Sequence, residues 1–237
     1  MKQRRASSER PTGLNLASIG AQSPNRRRPF AIIRHMQPYS PFLTHRFDLA
    51  FHLASGLHHA QPRKGSGTPY IAHLMSVSAL VLESGGDEDL AIAALLHDAV
   101  EDQGGLSTFE TIRHLFGDRV AGIVRECSDS ESTDPSKKLP WHQRKQAYLE
   151  HLSSASPDTL LVSVADKLHN ARAILGDYRS IGDEVWRRFS REASKADHLN
   201  YYRTLVTIFR QTAAPVALVD ELDRVVSELE HLSVQGN

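Results

Sequence analysis

From Ser40 to the C-terminus, apolar residues recur at intervals of three and four, and the alternation that marks strands hardly appears. That pattern restricts the chain to packed amphipathic helices, an all-α fold without a convincing internal repeat. Ser40-Pro41 supplies a cap and a first-turn proline. A stripe of Leu43, Phe47, Ala50, Phe51, Ala54 and Leu57 follows. Residues 61–69, "QPRKGSGTP", form a loop punctuated by glycine and proline. Thr68-Pro69 starts a second helix that runs to about Glu83. Asp87 caps a third, which is expected to continue to Gly104-Gly105.

Ser107 and Glu110 read as a capping box for a short fourth helix closed by Gly117, with a fifth over residues 119–127. Residues 128–140 are polar and form a loop. Helices are then expected over 140–152, 157–175, about 183–212 and about 215–232. In the last two, Trp186, Phe189, Leu205, Ile208, Phe209, Leu218, Leu222, Val225 and Leu229 recur at helical spacing and predict core packing.

The 237 residues suffice for a sizeable core, and 40% hydrophobic with 24% charged is an ordinary globular composition. No apolar stretch approaches the ~18 residues of a membrane span. The single cysteine, Cys127, excludes an internal disulfide and fits a reducing compartment, so the chain is expected in the cytoplasm. Its simplest role is that of a small buried hydrophobe.

Net charge is zero but unevenly placed. Residues 1–40 carry Lys2, Arg4, Arg5, Arg10, Arg26, Arg27, Arg28 and Arg34 against Glu9, a balance of +7, which leaves −7 on the rest. A net-negative main domain argues against a nucleic-acid polymer as partner, because phosphate affinity needs a basic face. The tail is rich in Ser, Pro and Gly and has no periodicity, so it is expected to be a disordered extension. Its Arg-rich, acid-poor composition equally suits an organellar transit peptide, or translated sequence ahead of a start at Met36. The domain proper is expected over residues 41–237.

Within "LLHDAVED", residues 95–102, an apolar frame carries His97, Asp98, Glu101 and Asp102. On a continuous helix these four share one face, and carriage of buried carboxylates demands a positive partner. "LLVSVADKLHNARAIL" repeats the oddity with Asp166, followed by His169 and Asn170, and "TPYIAHLMSVSALV" does so with His73. Singly, each has a bland explanation: a core histidine bonded to backbone, or an aspartate paired with Lys167 or Arg172. One divalent cation explains all three, since imidazole with carboxylate suits Mn²⁺, Fe²⁺, Zn²⁺ or Mg²⁺.

The order His…His-Asp…Asp resembles the signature of HD-domain metal phosphohydrolases. "RKGSGTPYIAH", "LLHDAVED" and "VADKLHNAR" together resemble the hydrolase domain of the RelA/SpoT alarmone enzymes over about residues 43–210. The resemblance implies an HD-domain helical bundle that uses one Mn²⁺ to remove the 3′-pyrophosphate of ppGpp or pppGpp. By position it implies His73, His97, Asp98 and Asp166 as metal ligands, and Glu101 and Asp102 as the acidic pair that activates water. It implies Arg63, Lys64 and Asn170 as nucleotide contacts, with Arg144 and Lys145 in "WHQRKQAYL" a further feature near the substrate. Lys137 and Lys138 are either phosphate contacts or solvated. Leu74 stands where the family often has proline, which lets the helix run on. The 128–140 loop is longer and more polar than the resemblance implies for a small member, which leaves substrate preference there open.

The resulting expectation is a stand-alone small alarmone hydrolase with a nucleotide substrate, no membrane partner, and a homo-oligomer left open. Two other readings compete. One keeps the metal but acts on (p)ppApp, a nucleoside monophosphate or the 2′-phosphate of NADPH, since "RKGSGTPY" does not distinguish guanine from adenine. The other is a non-catalytic binding module, which usually loses a ligand or the acidic pair; here all six positions are filled.

Overall fold

The computed structural model describes residues 43–128, 139–189 and 192–235. The basic extension expected over 1–40, and Lys137 and Lys138 in the polar loop, lie outside the described residues. The all-α expectation holds: the described residues form helices, with one isolated β-bridge between Pro62 and Pro69.

Three helices make the centre. α2 (Ile71–Glu83), α3 (Glu88–Leu96) and α8 (Pro157–Ile181) pack on one another, with α1 (His45–Leu57) and α6 (Asp118–Cys127) against α3. α3 buries every residue from Leu90 to Leu96, so it lies inside the bundle rather than on its surface. Burial of each of Ile92, Leu95 and Leu96 contributes about 1.5–3 kcal/mol. Asp87 caps this helix as expected, its side chain accepting from the Leu90 amide at 3.0 Å. The outward end of α3 is tied by ions: Arg46 pairs with Glu88 and Asp89, and Arg119 with Asp87, Asp89 and Asp158. Its inward end, about 14 Å away at 1.5 Å per residue, carries the polar residues of interest.

Several expected boundaries shift, each for a local reason. α1 begins after Thr44, whose hydroxyl accepts from the Arg46 amide at 3.2 Å. Leu43 and Phe51 face solvent, so they drop out of the expected stripe. The third helix does not continue to Gly104. It stops at Leu96, and a four-residue α4 (Ala99–Asp102) resumes after a turn at His97 and Asp98. At that turn His97 Nδ1 lies 2.8 Å from the Ala94 carbonyl, taking up an acceptor of the last helical turn, and Asp98 adopts φ −96°, ψ −3°.

Gly104 and Gly105, both at positive φ, then turn the chain into α5 (Leu106–Phe116). Ser107 therefore falls inside the helix and caps nothing, while Glu110 pairs with Arg113 at 2.6 Å. α7 (Trp141–Leu152) starts after Pro140 as expected. α8 is capped by Ser156, and it runs past Leu175 to Ile181.

The long helix expected over 183–212 is two elements. Gly182, at φ 57°, ends α8 and opens a 3₁₀ segment, η1 (Gly182–Arg188). α9 (Lys195–Gln211) restarts at Ser194, which forms a capping box with Asp197. Asp183 holds the corner by accepting from Tyr178 Oη at 2.9 Å and pairing with Lys195 at 2.8 Å. α10 (Val216–Gln235) lies against α8 and α9, joined by ion pairs from Arg172, Arg179, Arg203 and Arg210. Val225 packs half-buried against the core, and Val226 beside it is fully buried.

Candidate metal centre and its surroundings

Three helical elements deliver four polar side chains to one point. His73 comes from the first turn of α2, His97 and Asp98 from the break after α3, and Asp166 from the middle of α8. His73 Nε2 lies 3.1 Å from Asp166 Oδ1 and 3.6 Å from Asp98 Oδ2. His97 Nε2 lies 3.0 Å from Asp98 Oδ2 and 3.5 Å from Asp166 Oδ1. Both histidines are 1% exposed and Asp166 is 5% exposed, so these atoms converge where little solvent can compensate them.

The backs of the same side chains are occupied. His97 spends Nδ1 on the Ala94 carbonyl, so Nδ1 carries a proton and Nε2 turns inward. That buried Nε2 has no hydrogen-bond partner. His73 Nδ1 lies 2.8 Å from His169 Nδ1, so its Nε2 likewise faces the cluster. Burial and the neighbouring charges lower the His169 pKa to about 4, keeping that ring neutral and able to accept. Tyr70 Oη donates to Asp98 Oδ2 at 2.6 Å. Burial and then the nearby carboxylates raise the pKa of this phenol, so it stays a donor.

Asp166 is held on both oxygens. Lys167 Nζ lies 2.5 Å from Oδ2, and Asn170 Nδ2 donates to Oδ1 at 2.5 Å. Burial opposes the charge on Asp166, and Lys167 with the two imidazoles outweighs it, leaving the carboxyl well below its ordinary range. Asp98 behaves alike, with His97 the main counterweight to burial. Of the two partners expected for Asp166, Arg172 goes elsewhere, to Glu221.

Two imidazole nitrogens and two carboxylate oxygens, converging in a buried place, fit a divalent cation. His73, His97 and Asp98 form a group close enough to share one ion, with Asp166 Oδ1 adjoining.

Glu101 and Asp102 extend from this centre on α4, the first half-buried and the second exposed. The loop before α2 reaches the same centre through Asn170 and Tyr70. Arg63 Nη2 donates to Asn170 Oδ1 at 2.9 Å, and its guanidinium lies 5.8 Å over the Tyr70 ring. Lys64 is exposed, with its carbonyl 3.5 Å from Arg188 Nη1. Arg188 is anchored by Asp177 at 2.6 Å, and it crosses Gly65 so closely that a Cβ there would lie 2.7 Å from Nε. Gly65 also has φ +85°, so the loop needs glycine at this crossing twice over.

Arg144 and Lys145 are placed differently. Arg144 Nε donates to the Leu139 carbonyl at 3.1 Å, and Lys145 Nζ lies 5.3 Å over the Tyr201 ring. These contacts belong to α7 and α9 and not to the four-residue cluster. Sequence reasoning gave no role to His58, Gln61, Tyr70 or Gln103, all of which touch the site's periphery. Tyr70 carried a usable signal, three residues before His73 on the same stretch. The two glutamines carried none.

Comparisons with known proteins agree with this geometry. Residues 50–195 match the family model described as the HD domain. The guanosine-3′,5′-bis(diphosphate) 3′-pyrophosphohydrolase MESH1 of Xenopus tropicalis is 41% identical over 140 residues, spanning 58% of this chain and 72% of that protein. Its Homo sapiens counterpart is 38% identical over 122 residues, spanning 50% of this chain and 64% of that protein. A probable guanosine-3′,5′-bis(diphosphate) 3′-pyrophosphohydrolase of Synechocystis sp. is 36% identical over 135 residues, only 17% of its length. Among solved structures, a metazoan ortholog of SpoT, described as hydrolysing ppGpp, matches with a TM-score of 0.63 at 27% identity, covering 79% of this chain and 97% of that one. A Listeria monocytogenes EGD-e protein matches with a TM-score of 0.55 at 27% identity, covering 66% of this chain and 97% of that one. With its paired histidines and aspartates in one buried cluster, and residues 50–195 matched throughout, this chain belongs to the HD-domain family.

Proposed function

We propose that this chain is a metal-dependent phosphohydrolase that removes the 3′-pyrophosphate of guanosine tetra- and pentaphosphate, ppGpp and pppGpp, yielding GDP or GTP and pyrophosphate. The observation that carries the reading is the continuous link Arg63–Asn170–Asp166, at 2.9 and 2.5 Å. It joins the basic loop to the His–Asp cluster, so phosphates neutralised by the loop lie beside the cluster. The names of the MESH1 relatives support the same substrate.

In this reading His73, His97, Asp98 and Asp166 hold one Mn²⁺. The cation supplies Lewis acidity and offsets negative charge as phosphorus is attacked. Glu101 and Asp102 orient the attacking water and accept its proton. Arg63 and Lys64 neutralise the nucleotide phosphates, which the net-negative domain would otherwise repel. Asn170, bonded to both Arg63 and Asp166, is assigned as a contact to the same ligand. Arg144 and Lys145 are assigned to the far edge of the substrate, beyond the cluster. No helix among the described residues is long and apolar enough to cross a membrane.

The test is a Mn²⁺-dependent turnover panel of ppGpp, pppGpp, ppApp and NADPH with product identification. GDP and pyrophosphate formed one for one from ppGpp, at the highest kcat/KM of the panel, is the expected result. Faster turnover of ppApp or NADPH would move the assignment to that nucleotide, and orthophosphate as first product would overturn pyrophosphate release.

A further inference from the structure

The acidic pair needs to be aimed, and its second member is badly placed to aim itself. Asp102 ends a four-residue helix and is exposed to water, where a short carboxylate samples several rotamers. Gln61, more than forty positions away on the loop before α2, donates from Nε2 to Asp102 Oδ2 at 2.8 Å. We propose that Gln61 is the positioning residue for Asp102, fixing the carboxylate that faces the attacking water. This inference rests on the reading of Glu101 and Asp102 as the catalytic acids.

The orientation of the Gln61 amide is decided by its neighbours. Its Oε1 accepts from Gln103 Nε2 at 2.5 Å and from His58 Nδ1 at 2.8 Å. A flipped amide would set oxygen against the acceptor-only Asp102 carboxylate, so Nε2 faces Asp102 and Oε1 faces Gln103 and His58. Because His58 must donate from Nδ1, its tautomer is fixed as well. The other nitrogen, Nε2, is buried without a hydrogen-bond partner. Burial lowers the His58 pKa, which keeps the ring neutral.

The support for Gln61 is itself rigid. His58 is 2% exposed and stacks on Tyr70 at 5.1 Å with an interplanar angle of 17°. The Gln61 backbone is pinned on both sides, its amide donating to the His58 carbonyl at 3.0 Å and its carbonyl accepting from the Tyr70 amide at 2.9 Å. Gln103, the other donor to Gln61, is the C-cap of α4 itself. One side chain thus grips the reacting end of α4 at two successive residues. Tyr70, at the far end of the same stack, holds Asp98. A single segment, residues 58–70, sets both a ligand and an acid of the site, and each through a different atom.

The test separates aiming from binding and from folding. Gln61→Met keeps length and loses the donor; Gln61→Glu keeps shape and sets an oxygen against Asp102. Both are assayed with Mn²⁺ on the panel nucleotide that wild type turns over fastest, alongside melting temperature and Mn²⁺ affinity. The expected result is a kcat lowered roughly 10- to 100-fold, with KM within about twofold and Mn²⁺ affinity unchanged. In an Asp102→Ala background the Gln61 substitutions should have no further effect, which a merely structural role would not produce. Should Gln61→Met fail to fold, Gln61→Glu carries the same test. Wild-type kcat in a folded variant, or an undiminished loss in the Asp102→Ala background, overturns the inference. If wild type prefers a nucleotide other than ppGpp, the substrate assignment fails while the Gln61 result still stands. No turnover of any panel nucleotide overturns both.

Discussion

Lys167 and Asp166 are adjacent in sequence, and they meet side chain to side chain inside the bundle, Nζ to Oδ2 at 2.5 Å. Successive residues on a helix ordinarily diverge. Here the lysine is drawn inward beneath the Tyr148 ring, 4.8 Å from its centroid, and it neutralises the outer oxygen of a carboxylate whose inner oxygen faces two imidazoles. Without a cation in the cluster, Lys167 is a principal compensation for Asp166.

That arrangement makes stability and metal binding partners. Lys167→Met leaves Asp166 buried with less positive charge, a loss of about 3–5 kcal/mol when one member of a buried pair is removed. A divalent cation restores the missing charge, so saturating Mn²⁺ should raise the melting temperature of Lys167→Met by more than that of wild type. Equal Mn²⁺ shifts in scanning fluorimetry would show that the lysine does not compensate Asp166.

His169 should govern affinity for the metal rather than the chemistry. Its ring lies 2.8 Å from His73 Nδ1, the contact that leaves His73 Nε2 facing the cluster. His169→Phe keeps a ring and removes the acceptor. Mn²⁺ affinity should then fall about 10- to 100-fold, the usual cost of losing such a support. At saturating Mn²⁺ the turnover should largely recover. Titration followed by electron paramagnetic resonance of free Mn²⁺ reads this directly, and wild-type affinity would count against the orientation argument.

How much of this was legible beforehand follows from what each residue costs. His73, His97, Asp98 and Asp166 stood out because polar groups are expensive in apolar helices, and the structure brings those four together. Helical spacing puts His97 and Glu101 on one continuous face, but the helix breaks at His97. α4 resumes at once, with the Asp102 amide bonded to the Asp98 carbonyl. Gln61 and Gln103 left no trace, since amides in polar loops cost nothing in an unfolded or a folded chain. Arg144 and Lys145 were placed by resemblance alone, and their contacts run to Leu139 and Tyr201. The break between η1 and α9 was missed because aromatic residues on both sides kept helical spacing across it.

Those aromatics carry a prediction about pH. His198 is enclosed by Trp141, Trp186 and Phe189, with ring centroids at 5.0, 5.7 and 4.8 Å. Burial, reinforced by Lys145, lowers its pKa from 6.5 to about 4. The folded state therefore binds this proton more weakly than the unfolded chain does. Its contribution is fully present above pH 6.5 and is lost as pH falls toward 4, by about 2 kcal/mol at pH 5. His198→Phe keeps the ring packing and removes the proton site. The variant should lose less melting temperature than wild type between pH 7 and pH 5, by roughly 4–8 °C. Parallel losses in calorimetry would mean that His198 is not the group responsible.

The final prediction separates holding the nucleotide from transforming it, by one substitution on the loop before α2 and one on α4. Arg63 reaches the site through Asn170, and it touches no member of the acidic pair in any hydrogen bond described above. Its charge serves the ground state and the transition state alike, because the phosphates it neutralises are present in both. Arg63→Gln should therefore raise KM about tenfold or more and change kcat little, the pattern of lost uniform binding. Glu101 lies half-buried on α4, three residues after Asp98. Glu101→Gln keeps size and hydrogen bonding and loses the proton acceptor, so kcat should fall at least ~100-fold while KM and Mn²⁺ affinity hold. The double variant should combine the two effects, since the two residues act on different steps. Steady-state kinetics on ppGpp with saturating Mn²⁺ measure both. A kcat collapse in Arg63→Gln, or near wild-type turnover in Glu101→Gln, would reverse the division of labour between the loop and α4 and place the proton acceptor on Asp102.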